Sequence, residues 1–350
     1  MDPFARRRLG RSTLELPTLG FGGAPLGDLF TEIGEANALA TVEHACELGV
    51  SYFDSAPWYG CGKSEHRLGH VLRQKPRQSF LLSTKVGRVL CRPDDAENYR
   101  PPIWTGGLPF EIRFDYSYDG VMRSYEDSLQ RLGLNRVDLL VIHDLDLNYH
   151  DTRERLAVHF DRLDRGGGWR ALRELKAVGE IKAIGAGIND RETIGDFIGR
   201  FDLDFCLVAM PYTLLDQAVL DDEFPRCVER DIGFIIGAVY ASGILITGAT
   251  ENSTYAYRAA APEVKERVRR IDAICRRHDT PLAAAALQFP LAHPSVASII
   301  PGAAAPDHLQ QTMEFLRRRI PRDLWAELKH ERLIHGAAPT PEEDALPHDR

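Results

Sequence analysis

The sequence predicts an α/β fold of the (β/α)8 TIM barrel class, with a long loop insertion after the third strand. Three observations point there. Eight short runs rich in Val, Ile, Leu and Phe recur along the 350 residues, separated by stretches with helical patterning. Most of these runs are apolar at consecutive positions rather than alternating, as strands covered on both faces should be. The Gly-x-Gly-x-x-Gly turn that would announce a doubly wound dinucleotide-binding sheet is missing.

In chain order, strands are expected at residues 19–22, 52–55, 80–86, 137–143, 181–187, 205–210, 233–239 and 298–302. Helical stretches are expected at 35–48, 120–132, 169–178 and 262–277. Gly20, Gly22 and Gly23 approach a nucleotide-binding turn, but Pro25 breaks the helix that should follow. Gly62-Lys63-Ser64 has the tail of a phosphate loop, with Pro57 where the leading glycine belongs. Residues 87–118 interrupt the rhythm. They are rich in Pro, Gly and Asp and carry Trp104, Phe110, Phe114, Tyr116 and Tyr118, so an irregular lid or pocket wall is expected. Residues 1–335 are read as one barrel domain and 336–350, Pro- and acid-rich, as a disordered tail.

Composition narrows the function. The formal net charge of −8 argues against a nucleic-acid partner, and the one basic run, Arg6-Arg7-Arg8, reads as a solvated edge. No apolar stretch has membrane-spanning length, and the N-terminus lacks the apolar core of a secretory signal. Six cysteines without paired spacing fit reduced thiols, and a cytoplasmic location is expected. The expected partner is a small-molecule substrate, with no membrane. Homo-oligomerisation is neither required nor forbidden.

Residues able to do chemistry fall at strand ends. Asp54 closes the second strand, in Phe53-Asp54-Ser55-Ala56-Pro57-Trp58-Tyr59-Gly60; Lys85 closes the third, His143 the fourth, and Asn189 follows the fifth. In a parallel barrel these ends share one mouth, where active sites sit. Tyrosine, with a solution pKa near ~10, is a poor proton shuttle at neutral pH. An adjacent ammonium favours its phenolate, and an aspartate holds that ammonium in place. A neutral histidine can polarise a substrate oxygen. Tyr59, Lys85, Asp54 and His143 therefore make a proton-relay set for hydride chemistry. A metal alternative rests on His143-Asp144-Leu145-Asp146 and His150-Asp151, but no His-x-His on an early strand completes such a site, and no metal is expected.

At this point the sequence resembles the aldo-keto reductase superfamily across nearly the whole barrel. The matching residues are the segment from Phe53 to Gly60 with Ser64-Glu65, Ser83-Thr84-Lys85, and the run from Val137 to His143. Phe114-Asp115-Tyr116-Ser117-Tyr118-Asp119-Gly120, His143-Asp144, the run from Tyr212 to Gln217 and that from Ala284 to Pro294 are similar to one subgroup. That subgroup holds the bacterial NAD-linked D-threo-aldose 1-dehydrogenases (L-fucose dehydrogenases) and pyridoxal 4-dehydrogenase. The resemblance implies the catalytic tetrad Asp54, Tyr59, Lys85 and His143. It implies oxidation of a ring hemiacetal carbon to a lactone, or of a carbinol to an aldehyde. It assigns Asn189 to the nicotinamide carboxamide, with Ala209 where a Gln commonly helps, and Tyr212 or Tyr240 against the ring. Gly22, Gly23, Ser242, Gly243, Leu245, Gly302, Ala304 and His308 are expected along the rest of the cofactor, and Trp58 and Trp104 against the substrate.

The cofactor choice follows from charge. The adenosine end is expected at Pro301-Gly302-Ala303-Ala304-Ala305-Pro306, where family members that use NADP place Lys or Arg to clamp the 2′-phosphate. Here stand three alanines and then Asp307, with His308 the one substitute, so NAD is expected over NADP.

Overall fold

The computed structural model describes residues 1–256 and 258–341. Eight parallel strands form the barrel wall: β1 (Phe21–Gly22), β2 (Tyr52–Asp54), β3 (Leu81–Val86), β4 (Leu139–His143), β5 (Ala183–Ile188), β6 (Phe205–Val208), β7 (Gly233–Ile236) and β8 (Val296–Ile299). They pair in chain order, from β1 through to β8. The sheet then closes on itself. Leu19 bridges Ile299, Gly22 bridges Gly302, and the Gly22 amide donates to the Pro301 carbonyl at 3.0 Å.

Two expected strands shift at this seam. The first is shortened to its last two residues, and the eighth ends at Ile299 rather than running to 302. Pro301 has no N–H to extend a ladder, which ends regular pairing there. Glycine is what lets the seam close: a Cβ on Gly22 would lie 2.5 Å from the Ile300 carbonyl, and one on Gly23 2.6 Å from that of Asp54. Around the wall run α1 (Glu35–Glu47), α2 (Lys63–Leu72), α3 (Tyr118–Leu132) and further helices that include Gly168–Ala177 and Pro262–Arg277.

The two-residue period of a strand sorts each strand into an outer and an inner set. Phe53, Leu140, Ile142, Cys206, Val208, Phe234 and Ile236 join the large apolar layer beneath the helices. Tyr52, Leu139, Val141, Ala183, Phe205, Leu207, Ile235 and Ala297 fill the interior. Leu9, Leu14 and Leu16, on and beside an N-terminal hairpin pairing Arg6–Arg8 with Glu15–Pro17, plug the bottom of that interior. The inner set continues upward in steps of two. Tyr52 leads to Asp54, Ser83 to Lys85, and Val141 to His143. Folding itself thus lifts three polar side chains to the top of the barrel interior.

The insertion is not irregular throughout. Its ends form an antiparallel hairpin, Arg88–Cys91 with Glu111–Phe114, in the register Arg88 to Phe114 and Cys91 to Glu111. That pairing spans some twenty residues of intervening chain, so no two-residue turn signal marks it. The part of the insertion beyond the hairpin is tied to the loop after β1. Trp104 bridges Leu29, the Phe30 amide donates to the Ile103 carbonyl at 2.9 Å, and Lys63 donates to both Asp28 and Gly106, each at 2.7 Å. Arg67 holds the other Asp28 oxygen at 2.8 Å.

Of the expected tail, residues 336–341 are described, and Ala338 there is fully buried; the rest lies outside the described residues. Among the described residues, no helix is long and apolar enough to cross a membrane.

Candidate active site

At the top of the barrel is a cavity lined by Tyr59, Lys85, His143, Asp144 and Asn189, with Trp58, Trp104, Tyr149, Leu29 and Ile103 as its apolar walls. The four residues expected to form a proton relay meet at its floor. Lys85 is the hub. Its ammonium donates to Asp54 Oδ2 at 2.6 Å, to the Ser55 carbonyl at 2.8 Å and to the Tyr59 hydroxyl oxygen at 3.0 Å. Three acceptors saturate its three N–H groups. Ser83 donates to the other Asp54 oxygen at 2.7 Å. Burial pushes the Asp54 carboxyl above the ordinary carboxylate range, against the pull of the Lys85 charge.

His143 stands beside this chain, its ring perpendicular to that of Tyr59 with centroids 5.9 Å apart. Burial, then the charges of Arg88 and Lys85, push the imidazole well below its ordinary pKa, so it is neutral near pH 7. Its Nε2 lies 3.2 Å from Asp144 Oδ2, and its Nδ1 is buried without a hydrogen-bond partner. Among the described residues, no group of three or more His, Cys, Asp or Glu side chains is arranged to hold a metal ion. Of the residues weighed as a metal site, Asp144 and Asp146 accept hydrogen bonds from Asn189, while His150 packs on Phe114 and His159 and Asp151 pairs with Arg155.

Trp58 and Trp104 both line the cavity and pack edge to face, centroids 5.5 Å apart. The expected cofactor residues divide. Asn189 lines the cavity, as does Ala209, which brings no amide. Gly243, at φ 95°, faces open space, following Ser242 at φ 60°. Tyr240 is half-buried, and its hydroxyl meets Thr312 of the helix Pro306–Arg317. Gly302, Ala304 and His308 lie around the start of that helix, whose N-terminus carries no side-chain cap. There the Ala304 amide donates to His308 Nδ1 at 3.3 Å. Asn189 on the cavity lining, an unobstructed glycine turn and an uncapped helix N-terminus along one barrel mouth fit a dinucleotide.

Four expected contact residues are corrected. Tyr212 is fully buried and packs on Phe224, Phe289 and His293, at centroid distances of 4.9, 5.6 and 5.8 Å, away from the cavity lining. Gly22 and Gly23 are buried and give their amides to Pro301 and Asp54, so their role is close strand packing. Leu245 is fully buried, with its amide on the Tyr240 carbonyl.

Sequence reasoning missed Arg88. It is buried, ion-paired with Asp144, and stacked against Trp58, Phe114 and Tyr149 at 4.6, 4.7 and 4.2 Å. It sets two of the cavity walls from behind. It begins the segment read as irregular, where no periodicity marks an inward side chain. Tyr149 was missed for the same reason, on the short helix Leu147–His150.

Comparison with known proteins identifies the family. The model of the aldo/keto reductase family matches residues 18–331. A pyridoxal 4-dehydrogenase of Microbacterium luteolum is 42% identical, covering 94% of this chain and 98% of its own. A D-threo-aldose 1-dehydrogenase of a Pseudomonas species is 39% identical, covering 94% and 96%. The solved structure of a holo aldo-keto reductase from Bacillus halodurans shares the fold, with a TM-score of 0.71 at 24% identity over 96% of this chain and 98% of that one. The chain therefore belongs to the aldo/keto reductase family, oxidoreductases acting on alcohol and aldehyde groups with a nicotinamide cofactor.

Proposed function

We propose that this chain is an NAD-dependent dehydrogenase of aldoses, oxidising the ring hemiacetal carbon of sugars such as L-fucose, D-arabinose or L-galactose to the lactone. The observation that carries the reading is the Lys85 ammonium bonded at once to Asp54 and to the Tyr59 hydroxyl, on the floor of a cavity shared with His143. When bound, the nicotinamide supplies a hydride acceptor or donor. In oxidation, the substrate hydroxyl gives its proton to the Tyr59 oxygen as its C–H leaves as hydride; in reduction, Tyr59 returns that proton to the carbonyl oxygen. Lys85 favours the phenolate by direct hydrogen bonding, and Asp54 holds Lys85 in register. His143, neutral, offers an N–H to the same oxygen without competing for the proton. Trp58, Trp104 and Tyr149 suit the C–H face of a sugar ring.

The NAD preference rests on the start of helix Pro306–Arg317, whose first turn holds Asp307 and whose one basic residue in the terminal turns is Arg317, in the last. His308 already accepts the Ala304 amide. A 2′-phosphate would meet a carboxylate there without a clamp. A second reading, oxidation of the pyridoxal carbinol, is favoured by the 42% identity to a pyridoxal 4-dehydrogenase, and a pyridine ring suits the same aromatic walls.

Initial rates with NAD and NADP against the three sugars and pyridoxal decide between these. The aldose reading predicts kcat/KM at least ~10-fold higher with NAD than NADP, and turnover of at least one sugar; a tenfold ratio corresponds to about 1.4 kcal/mol of transition-state preference. Turnover of pyridoxal alone moves the function to the second reading. Reduction of a test aldehyde by NADPH, with no sugar oxidised, overturns both.

A further inference from the structure

We infer that Asp146, together with Asp144, is a positioning residue for the nicotinamide carboxamide, acting by fixing which way the Asn189 side chain points. This inference rests on the dinucleotide reading above. Asn189 follows β5 and lines the cavity. Its Nδ2 donates to Asp144 Oδ1 at 2.7 Å and to Asp146 Oδ2 at 2.9 Å, and its backbone amide donates to the same Asp146 oxygen, also at 2.9 Å. Both hydrogens of the side-chain amide are therefore used on carboxylates.

An asparagine amide can be turned over with little change of shape, and its neighbours decide its orientation. Asp146 Oδ2 already accepts the Asn189 backbone amide and its Oδ1 the Asn148 amide, and Asp144 is paired with Arg88, so the oxygens facing the Asn189 side chain act as acceptors and favour its N–H₂ group over its carbonyl oxygen. With both N–H₂ hydrogens used, Oδ1 is the polar atom of this cavity-lining side chain left for a ligand. A lone acceptor at that place suits the N–H₂ of a carboxamide and not its carbonyl.

Asp146 is itself fully buried and held from the other side. Its Oδ1 accepts the Asn148 amide at 3.1 Å, which starts the helix Leu147–His150. Asp190, next to Asn189, accepts the Leu147 amide at 3.0 Å and so ties the ends of β4 and β5 together. Asp144 is anchored by Arg88. The acceptor pair is thus rigid before any ligand arrives, and rigidity of this kind is what a positioning role requires.

The test compares NAD with 3-acetylpyridine adenine dinucleotide, in which a methyl group replaces the carboxamide N–H₂, by dissociation constants from quenching of tryptophan fluorescence. One hydrogen bond to an oriented acceptor predicts about tenfold weaker binding of the analogue by the wild type. In Asp146→Ala the ratio falls to about threefold or less. In Asp146→Asn, which keeps an acceptor oxygen, it stays within about twofold of wild type. In Asn189→Ala it is near one, and adding Asp146→Ala changes it no further, as a chain of dependence demands. ADP-ribose, which lacks the nicotinamide, binds all variants alike.

An unchanged ratio in Asp146→Ala with intact ADP-ribose binding overturns the inference, leaving Asp146 a helix cap. A wild-type ratio near one overturns it as well. If Asp146→Ala loses ADP-ribose binding through misfolding, Asp146→Asn and Asn189→Ala carry the test, and wild-type-like discrimination by Asn189→Ala overturns it. Failure of the wild type to bind NAD or ADP-ribose sinks the dinucleotide reading itself.

Discussion

Lys85 exposes 1% of its side chain, and a buried ammonium is tolerated only with partners. It has a carboxylate, a backbone carbonyl and a phenol, of which the phenol alone can change its proton content usefully near neutral pH. That asymmetry gives the site a direction. Asp54 is a fixed support and Tyr59 the mobile end. Burial first, then the Arg88 and Lys85 cations, keep His143 uncharged even though its Nε2 lies 3.2 Å from Asp144, itself paired with Arg88. The His143 imidazole should therefore show no titration between pH 5.5 and 8 in nitrogen-detected NMR of the free protein. A midpoint near its ordinary value of about 6.5 would contradict the neutral-donor role.

At the scale of elements, β2, β3 and β4 each carry their polar residue two positions beyond an interior one, so strand alternation alone brings Asp54, Lys85 and His143 together. This part was legible in the sequence, because the strand positions and the residue types were enough. Tyr59 and Trp58 were legible through the motif that follows β2. The hairpin inside the insertion was not legible, since its partners are far apart in the chain. Nor was the place of Tyr212, whose aromatic neighbours Phe224, Phe289 and His293 come from two other segments. Arg88 escaped because its role depends on Trp58, Tyr149 and Asp144 gathered from separate loops. Residues 92–110, the part of the insertion beyond the paired strands, should be dispensable for folding but not for substrate. Replacing them with a short turn removes Ile103 and Trp104 from the cavity. It should raise substrate KM at least ~10-fold, by loss of buried apolar contact, while the far-ultraviolet circular dichroism stays that of a barrel. Unchanged KM would make the segment ornamental.

For the molecule as a whole, buried histidines set the acid limit of stability. His150 and His293 are both pushed down to about 4 by burial, and His143 and His159 are also lowered. The unfolded chain, with histidines near 6.5, binds more protons than the native one between pH 6.5 and about 4. Stability from these groups is full above pH 6.5 and is lost as pH falls. Asp146, raised to about 7 by burial and by Asp144, acts with the opposite sign: its contribution is full below pH 4 and is lost as pH rises through 7. Asp54, also raised by burial, acts in the same direction as Asp146; four lowered histidines against these two carboxyls predict a Tm lower at pH 5 than at pH 7 by ~3 °C or more, readable by calorimetry, and a Tm equal or higher at pH 5 would contradict that balance. The proposed reaction depends on one proton passing through one phenol oxygen. The most direct measurement is single-turnover reduction of NAD by the wild type and by Tyr59→Phe, each saturated with cofactor and with whichever substrate the rate survey selects. The account predicts a fall of at least ~10²-fold in the hydride-transfer rate with the dissociation constant for NAD unchanged. A Tyr59→Phe enzyme that transfers hydride at the wild-type rate would contradict it.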